Sequence, residues 1–290
     1  MNSLHGQSRT LNISNLIIDH FVDHLRDTYQ GNYGETDPPY GRIIAWLGHL
    51  ALENIANSNI LYHNIEHTIM VTMVGQQILR GKHLCEGGVR PNDWFHFIAA
   101  TLCHDIGYIS GICRQDTDTH FATGIGDETV ELPTTGTDAV LSPYHVDRSK
   151  LFVKERFTNS ISTDIDTDLI ASYIEMTRFP APQDNQFYDD TTNYRGLVRA
   201  ADFIGQLGDP NYLRKIPALY YEFEEIGINE NLGYNNPDDM RKGYAKFYWN
   251  VIQPHIKDAL RYLKVTQEGK QWIANLHSHV FEIEHAQLFK

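Results

Sequence analysis

Residues 94–108 read Trp-Phe-His-Phe-Ile-Ala-Ala-Thr-Leu-Cys-His-Asp-Ile-Gly-Tyr, and they decide the fold. Pro91, Asn92 and Asp93 precede this run and are typical of a helix start. Because the run is apolar on nearly every face, we expect a helix that lies inside the protein rather than on its surface. The rest of the chain must therefore cover this helix on all sides.

His104 and Asp105 stand side by side near the end of the apolar run. A buried carboxylate without a partner is so unfavourable that it is neutralised or removed, so Asp105 needs a compensating group. One explanation is a hydrogen-bonded His–Asp pair in the core. The other is a bound cation, which both side chains could reach from the helix end because successive helical residues diverge by only about 100°.

Composition favours one large helical domain. The chain has 290 residues, of which 41% are hydrophobic, enough to bury a substantial core. Helical periodicity recurs along it, whereas no strand-period stretch of useful length is present. We therefore expect an all-α fold of about nine to ten helices in a single domain over residues 1–290.

Charge and cysteine content exclude several classes of protein. With 24 basic and 37 acidic residues, the formal net charge is −13, and no basic run stands out. This argues against binding to a nucleic-acid polymer or to an anionic membrane surface, but allows a small anionic substrate at a metal. The three cysteines lack zinc-type spacing, which favours free thiols in a reducing cytoplasm. No signal-peptide core or membrane-spanning run is found, so we expect a cytoplasmic protein.

Two further positions repeat the pattern of polar residues in apolar helices. His63 and His67 are four residues apart and share one face if both are helical. Two imidazoles on one face need water, a carboxylate or a metal. Asp202 lies in the middle of an apolar helix predicted over residues 193–207, and it raises the same question as Asp105.

Together, His67, His104, Asp105 and Asp202 form a mixed set of nitrogen and oxygen ligands. Such a set suits first-row divalent cations better than it suits calcium. A water bound to such a cation loses its proton near neutral pH and becomes a nucleophile. His63, one turn from His67, would stand beside the cation, where a general acid could protonate a leaving oxygen.

These motifs resemble those of a known enzyme group. Tyr62-His63-Asn64 with His67, then His104-Asp105, then Ala201-Asp202 is similar to the HD superfamily of metal-dependent phosphohydrolases, and most similar to the class I cyclic-nucleotide phosphodiesterases. The resemblance runs from about residue 62 to 207. It implies a phosphodiesterase-like helical bundle with a metal-binding core at about 58–210, on which C-terminal helices over 211–290 pack.

The resemblance also implies site residues and cofactors. One or two divalent ions (Zn, Mn, Fe, Ni or Mg) would bind, the first to the ligands His67, His104, Asp105 and Asp202. Asp105 would bridge to a second ion, for which His145 is the candidate ligand, and His63 would protonate the leaving oxygen. The alternative for His145 is a surface histidine in the first turn of a helix. The substrate would be a small phosphorylated molecule, a nucleotide or cyclic nucleotide. The candidate substrate-binding residues are Tyr62, Asn64, Arg148 and Gln206, and the alternative for Arg148 is a solvated surface charge.

The chain departs from the phosphodiesterase pattern at three places. Ile106-Gly107-Tyr108 stands where those enzymes continue with Asp-His-Pro-Gly, which removes a His that helps to order the second metal. Arg241 falls where those enzymes carry a Gln that contacts the purine. Residues 110–141 have no counterpart, and such a long loop is either a lid over the site or a surface excursion.

Two other functions compete with the phosphohydrolase. His63-Asn64-Ile65-Glu66-His67 also fits the His-x-x-Glu-His pattern of a zinc protease, in which Glu66 would be the base. The chain could alternatively be a sensor or scaffold that kept the fold without turnover. The sequence leaves open whether the substrate is a monoester or a diester, which base and metal bind, and whether the chain forms a homo-oligomer.

Overall fold

A computed structural model describes residues 12–133, 135–157, 165–182 and 185–286. Over these residues the protein is predominantly all-α, as predicted, with one small two-stranded sheet. The helical segments are α1 (Ile13–Tyr33), α2 (Tyr40–Ala56), α3 (Ile65–Glu86), α4 (Pro91–Cys103), α5 (His145–Phe157), α6 (Thr167–Glu175), α7 (Tyr194–Leu207), α8 (Tyr212–Glu225), α9 (Ile228–Leu232), α10 (Pro237–Phe247), α11 (Gln253–Leu263) and α12 (Gln267–Glu284). A π-helical turn over Tyr248–Ile252 joins α10 to α11, so the described chain has eleven helices, against nine to ten expected.

Helix α4 is the buried helix that the sequence predicted. Pro91 begins it, and the Asp93 carboxylate accepts a hydrogen bond from the Arg90 backbone N–H at 3.0 Å, which caps the first turn. Every residue from Trp94 to Cys103 is buried. Helices α2, α3, α6 and α7 pack around α4 and cover it on all sides.

Helix α4 ends earlier than the sequence suggested. The apolar run predicted a helix as far as residue 108, but α4 stops at Cys103, and a 3₁₀ turn follows over Ile106–Tyr108. Ser149 of α5 satisfies the backbone groups at this break. Its hydroxyl donates to the His104 carbonyl at 2.7 Å and accepts from the Gly107 N–H at 2.9 Å. His104 and Asp105 therefore lie in a turn between two helical elements.

The long segment between α4 and α5 has structure that its polar composition did not reveal. It contains a two-stranded antiparallel sheet of β1 (His120–Ala122) and β2 (Thr129–Glu131), in which Phe121 faces Val130, and a 3₁₀ turn over Asp138–Leu141. With three residues each, the strands are too short to show a period-two pattern. Phe121 and Ala122 of β1 are buried, and Arg148 of α5 donates a hydrogen bond to the Ala122 carbonyl at 2.7 Å.

Helices α3 and α7 form the centre of the molecule and carry two of the predicted ligands. They pack against each other, and α11 lies across both. None of the described helices is both long enough and apolar enough to cross a membrane. The single-domain prediction covers residues 1–290, of which 1–11, 134, 158–164, 183–184 and 287–290 lie outside the described residues. That prediction stays a prediction.

Candidate metal centre

The four predicted ligands meet at one point, although they are far apart along the chain. His67 comes from the first turn of α3, His104 and Asp105 from the turn after α4, and Asp202 from the middle of α7. The His67 and His104 Nε2 atoms lie 3.3 Å apart. Asp105 Oδ2 lies 3.1 Å from His67 Nε2 and 3.0 Å from His104 Nε2. Asp202 Oδ1 lies 3.5 and 3.6 Å from the same two nitrogens.

These distances fit ligands of a common ion. Donor atoms held about 2.0–2.2 Å from one cation lie about 3.0–3.5 Å from each other in tetrahedral or octahedral arrangements. Asp105 Oδ2 is buried and accepts no hydrogen bond of proper geometry, although two imidazole nitrogens lie beside it. Such an orphaned carboxylate oxygen is expected at a cation site.

The hydrogen bonding of His104 also suits a ligand. Its Nδ1 donates to the Thr101 carbonyl at 2.8 Å, which turns Nε2, the atom that would bind a cation, into the cluster. His67 differs, because its Nδ1 is buried without a hydrogen-bond partner. Among the described residues, His67, His104 and Asp202 form the group whose ligand atoms all lie within 4.8 Å of one another, and Asp105 contacts both imidazoles of that group.

The two carboxylates are ionised at neutral pH. Burial raises the pKa of Asp202, but the adjacent His104 and His67 imidazoles outweigh burial, and the pKa falls to about 2. The pKa of Asp105 is likewise well below its usual range, because His104 outweighs the effect of burial. Burial lowers the pKa of His104, but Asp105 overrides it and holds that pKa well above the usual range. Ionised carboxylates are the form that binds a cation.

A glycine lets α3 and α7 come close enough to share the cluster. Gly205 lies one turn after Asp202, and Val71 lies one turn after His67. A Cβ built on Gly205 would stand 2.6 Å from the Val71 Cα, closer than any side chain tolerates. The contact of the two backbones at this point therefore sets the spacing of His67 and Asp202.

His63 stands beside the cluster but is tied to a different partner. Its ring centroid is 5.4 Å from that of His67, and its Nδ1 bonds to Glu222 Oε2 at 2.6 Å. Burial lowers the pKa of His63, but the Glu222 carboxylate outweighs burial and raises it to about 9. His63 is therefore an imidazolium near neutral pH. Its side chain is 14% exposed, which leaves it reachable from solvent.

Glu222 of α8 is a further candidate site residue, which the sequence motifs did not indicate. It is 4% exposed, and besides the His63 ring it accepts hydrogen bonds from the backbone N–H groups of Tyr62 and His63. The available signal was an acid three residues after the buried Leu219 of an amphipathic helix. Such a residue could equally have lain at the helix edge, so its partner was visible only in three dimensions.

Three of the predicted substrate-binding residues contact neighbouring protein groups next to the candidate ligands. Asn64 caps α3, because its Oδ1 accepts from the N–H groups of Glu66 and His67 at 3.0 and 3.4 Å. Tyr62 is buried with its ring 5.5 Å from that of His67. Gln206, one turn beyond Asp202, donates to the Tyr212 hydroxyl at 3.4 Å.

Arg148 has a different role from the predicted one. It is fully buried, and its guanidinium forms two hydrogen bonds with the Asp116 carboxylate at 2.9 and 2.8 Å. Its other donors bind the backbone carbonyls of Gly107, Ala122 and Ile109. All five N–H groups are engaged within the protein, so none remains for a substrate. Arg148 instead fixes the strand β1 and the turn after Asp105 to α5.

His145 lies on the far side of Asp105 from the cluster. Its Nε2 is 3.9 Å from Asp105 Oδ1, and its Nδ1 bonds to the Ser142 carbonyl at 2.5 Å. Burial lowers the pKa of His145, so its imidazole is neutral and its Nε2 lone pair is free. Asp105 thus presents one oxygen to His67 and His104 and the other oxygen to His145.

Tyr108 separates His145 from His63. Its ring stacks on His63 with centroids 4.8 Å apart and planes inclined by 16°, and on His145 at 4.3 Å and 14°. In the sequence, Tyr108 stands out only as part of a departure from the phosphodiesterase motif. The close approach of α5 that makes this stack depends on Gly107, because a Cβ there would lie 1.9 Å from the His145 carbonyl oxygen.

Glu66 does not occupy the position that a zinc protease requires. Its side chain is 46% exposed and pairs with Lys215 of α8 at 2.8 Å. His63, the first His of that pattern, is bound to Glu222 through Nδ1, whereas His67 joins the cluster. The geometry therefore favours the four-residue cluster over a site made from residues 63–67.

Comparison with known proteins identifies the family of the chain. No curated protein and no solved structure matches it. The model of the Npun_R2479-like family matches residues 11–286, nearly the full length, and the chain therefore belongs to the Npun_R2479-like family.

Proposed function

We propose that the protein is a metal-dependent phosphohydrolase that cleaves a phosphoester bond of a small phosphorylated substrate. The observation that carries this proposal is the convergence of His67, His104, Asp105 and Asp202, with the buried Asp105 Oδ2 left without a hydrogen bond. Two imidazoles and two ionised carboxylates suit a first-row divalent cation.

These four residues would hold the first cation. Such a cation, when bound, lowers the pKa of water and neutralises negative charge that develops on a phosphoryl group. His145 and the second oxygen of Asp105 would hold a second cation, since both present free lone pairs on the same side. In a purely structural interpretation the cluster would be a set of buried ion pairs between the imidazoles and the carboxylates, and the metal analysis below separates the two.

His63 would donate the proton to the leaving oxygen. It lies outside the ligand cluster, is partly exposed and carries its extra proton near neutral pH. Glu222 holds its Nδ1, which directs Nε2 away from Glu222. A general acid positioned in this way contributes roughly 10²–10⁴-fold to the rate.

A nucleotide or cyclic nucleotide is the substrate class that the sequence resemblance suggests. Arg241, at the position of the purine-contacting Gln, donates to the Leu213 carbonyl at 3.2 Å and pairs with Glu282 at 2.5 Å. These contacts engage it within the protein. We therefore propose the phosphoester chemistry without assigning a base.

Metal analysis followed by a substrate panel tests the proposal. Purified protein should contain one or two equivalents of a divalent metal, and should hydrolyse bis-p-nitrophenyl phosphate or members of a nucleotide panel when Mn²⁺ is supplied. Asp202→Ala should lose both metal and turnover. Asp168→Ala removes a carboxylate that is 84% exposed and should keep both. Metal-free wild-type protein after incubation with Zn²⁺, Mn²⁺ or Fe²⁺ would refute the site.

Two further results separate the alternatives. Glu66→Gln should leave phosphoester hydrolysis nearly unchanged, because Glu66 is a surface residue paired with Lys215. Loss of all activity in this variant would favour the protease. Stoichiometric metal in a protein that hydrolyses neither monoesters nor diesters would favour the sensor.

A further inference from the structure

The stack of His63, Tyr108 and His145 places one aromatic ring between the two histidines that flank the metal ligands. All three planes are nearly parallel, and the centroid distances of 4.8 and 4.3 Å are those of stacked rings in direct contact. Tyr108 itself is 5% exposed. Its hydroxyl is 3.4 Å from Ser142 Oγ, and its backbone N–H donates to the Asp105 carbonyl at 3.1 Å.

Each histidine is fixed at one ring atom only by its hydrogen bond. His63 Nδ1 is held by Glu222, and His145 Nδ1 by the Ser142 carbonyl. One hydrogen bond by itself leaves the imidazole free to swing about the bonded atom. The Tyr62 and His67 rings also contact His63, but at steep interplanar angles of 79° and 82° rather than face to face. Tyr108 restricts this movement for both histidines, because one face of its ring lies against His63 and the other face against His145. Tilting either imidazole would bring it into collision with the phenol ring. The two constraints together fix where each Nε2 is directed.

We propose that Tyr108 is a positioning residue that holds the imidazole planes of His63 and His145, and thereby aims their Nε2 atoms at opposite flanks of the Asp105 site. This inference rests on the proposed function for its effect on rate, but not for its effect on ring geometry. The positioning role requires an aromatic ring at residue 108 but not the hydroxyl, since the ring faces make the contacts with both histidines and the hydroxyl contact with Ser142 is long.

Nuclear magnetic resonance of protein labelled at histidine ¹³Cε1 tests the geometry without any activity. A C–H group above an aromatic ring resonates upfield because of the ring current. The His63 and His145 signals, assigned from His63→Gln and His145→Gln, should both be displaced upfield in the wild type. They should stay displaced in Tyr108→Phe and move downfield in Tyr108→Leu. The signal of His96, which is buried in α4 away from the stack, should not move.

Kinetics test the consequence. Misplacing a catalytic group by about 1 Å can cost about 100-fold in rate. Tyr108→Leu should therefore lose about 10- to 100-fold in kcat on a nucleotide ester, whose alkoxide leaving group needs a proton. It should lose much less on bis-p-nitrophenyl phosphate, whose leaving group departs as an anion. Tyr108→Phe should keep the wild-type ratio of the two rates.

Several results would overturn the inference. Unshifted histidine Cε1–H resonances of both His63 and His145 in the wild type would exclude the stack. This result does not depend on whether the Leu variant folds. Unmoved signals in a folded Tyr108→Leu protein, confirmed by circular dichroism, would exclude Tyr108 as their cause. An unchanged ratio of rates in that variant would exclude the positioning role. A wild type that hydrolyses nothing, but shows both upfield signals, would refute the proposed function and leave the ring geometry standing.

Discussion

Gly205→Ala should separate the two helices that carry His67 and Asp202. The added Cβ would lie 2.6 Å from the Val71 Cα and 2.8 Å from the Val71 backbone nitrogen. Ordinary contact begins at 3.4 Å, so the backbones must move apart by about 3.4 − 2.6 = 0.8 Å. The distance of 3.5 Å between His67 Nε2 and Asp202 Oδ1 would then grow to about 4.3 Å if the displacement were passed on in full.

The expected cost has two parts. Overpacking a close helix contact typically destabilises by about 1–3 kcal/mol, which urea denaturation would measure. Metal sites tolerate ligand displacements of only about 0.5 Å, and losing the support of a ligand typically lowers metal affinity by about 10- to 100-fold. Isothermal titration of apo-protein with Zn²⁺ or Mn²⁺ should show this loss.

Gly31→Ala is the matched control, because a Cβ at Gly31 in α1 meets nothing within 4 Å. Its stability should stay constant or rise by about 0.5–1 kcal/mol, since Ala is the better helix former, and metal affinity should not change. Wild-type stability and metal affinity in Gly205→Ala would refute the argument that this helix contact sets the ligand spacing. A loss of stability with unchanged metal affinity would show that the contact stabilises the fold but does not set the ligand spacing.

Three other variants probe separate parts of the structure. Glu222→Gln should keep its metal, yet lose about 10- to 100-fold in kcat on substrates with poor leaving groups, because His63 loses its anionic partner; equal rates would exclude that role. Arg148→Met leaves the buried Asp116 carboxylate unpaired and should lower the free energy of unfolding by about 3–5 kcal/mol, which urea denaturation would measure. The additional change Asp116→Asn should recover part of the loss, and no recovery would argue against the ion pair as its cause. Hydrogen bonds from Arg178 and Lys150 outweigh burial and lower the pKa of Glu175 from 4.5 to about 2. The stability that this carboxylate contributes is therefore complete above about pH 4.5 and is lost as pH falls towards 2. Glu175→Gln should flatten the fall of the thermal midpoint over that interval, and an unchanged slope would contradict the assignment.

The sequence alone was enough to predict the helical class and the buried helix. The apolar run from Trp94 to Cys103 is longer than a typical buried strand, which favours a helix, and its Pro91 start signal was local. The candidate ligands were recognisable for a related reason. An acid among apolar helical residues, such as Asp202, needs a compensating partner once it is buried, and this need can be recognised from the sequence.

What the sequence could not decide were the contacts between segments far apart along the chain. The end of α4 at Cys103 depends on Ser149, which comes from a different helix. Glu222 acquired a role through its distance to His63, and Arg148 lost its predicted role because Asp116 lies against its guanidinium. The same residue type can be a solvated charge on the surface or a buried charge with a partner, and the sequence does not distinguish the two. Only the packing of the helices determines which of them loses its water and must find a partner.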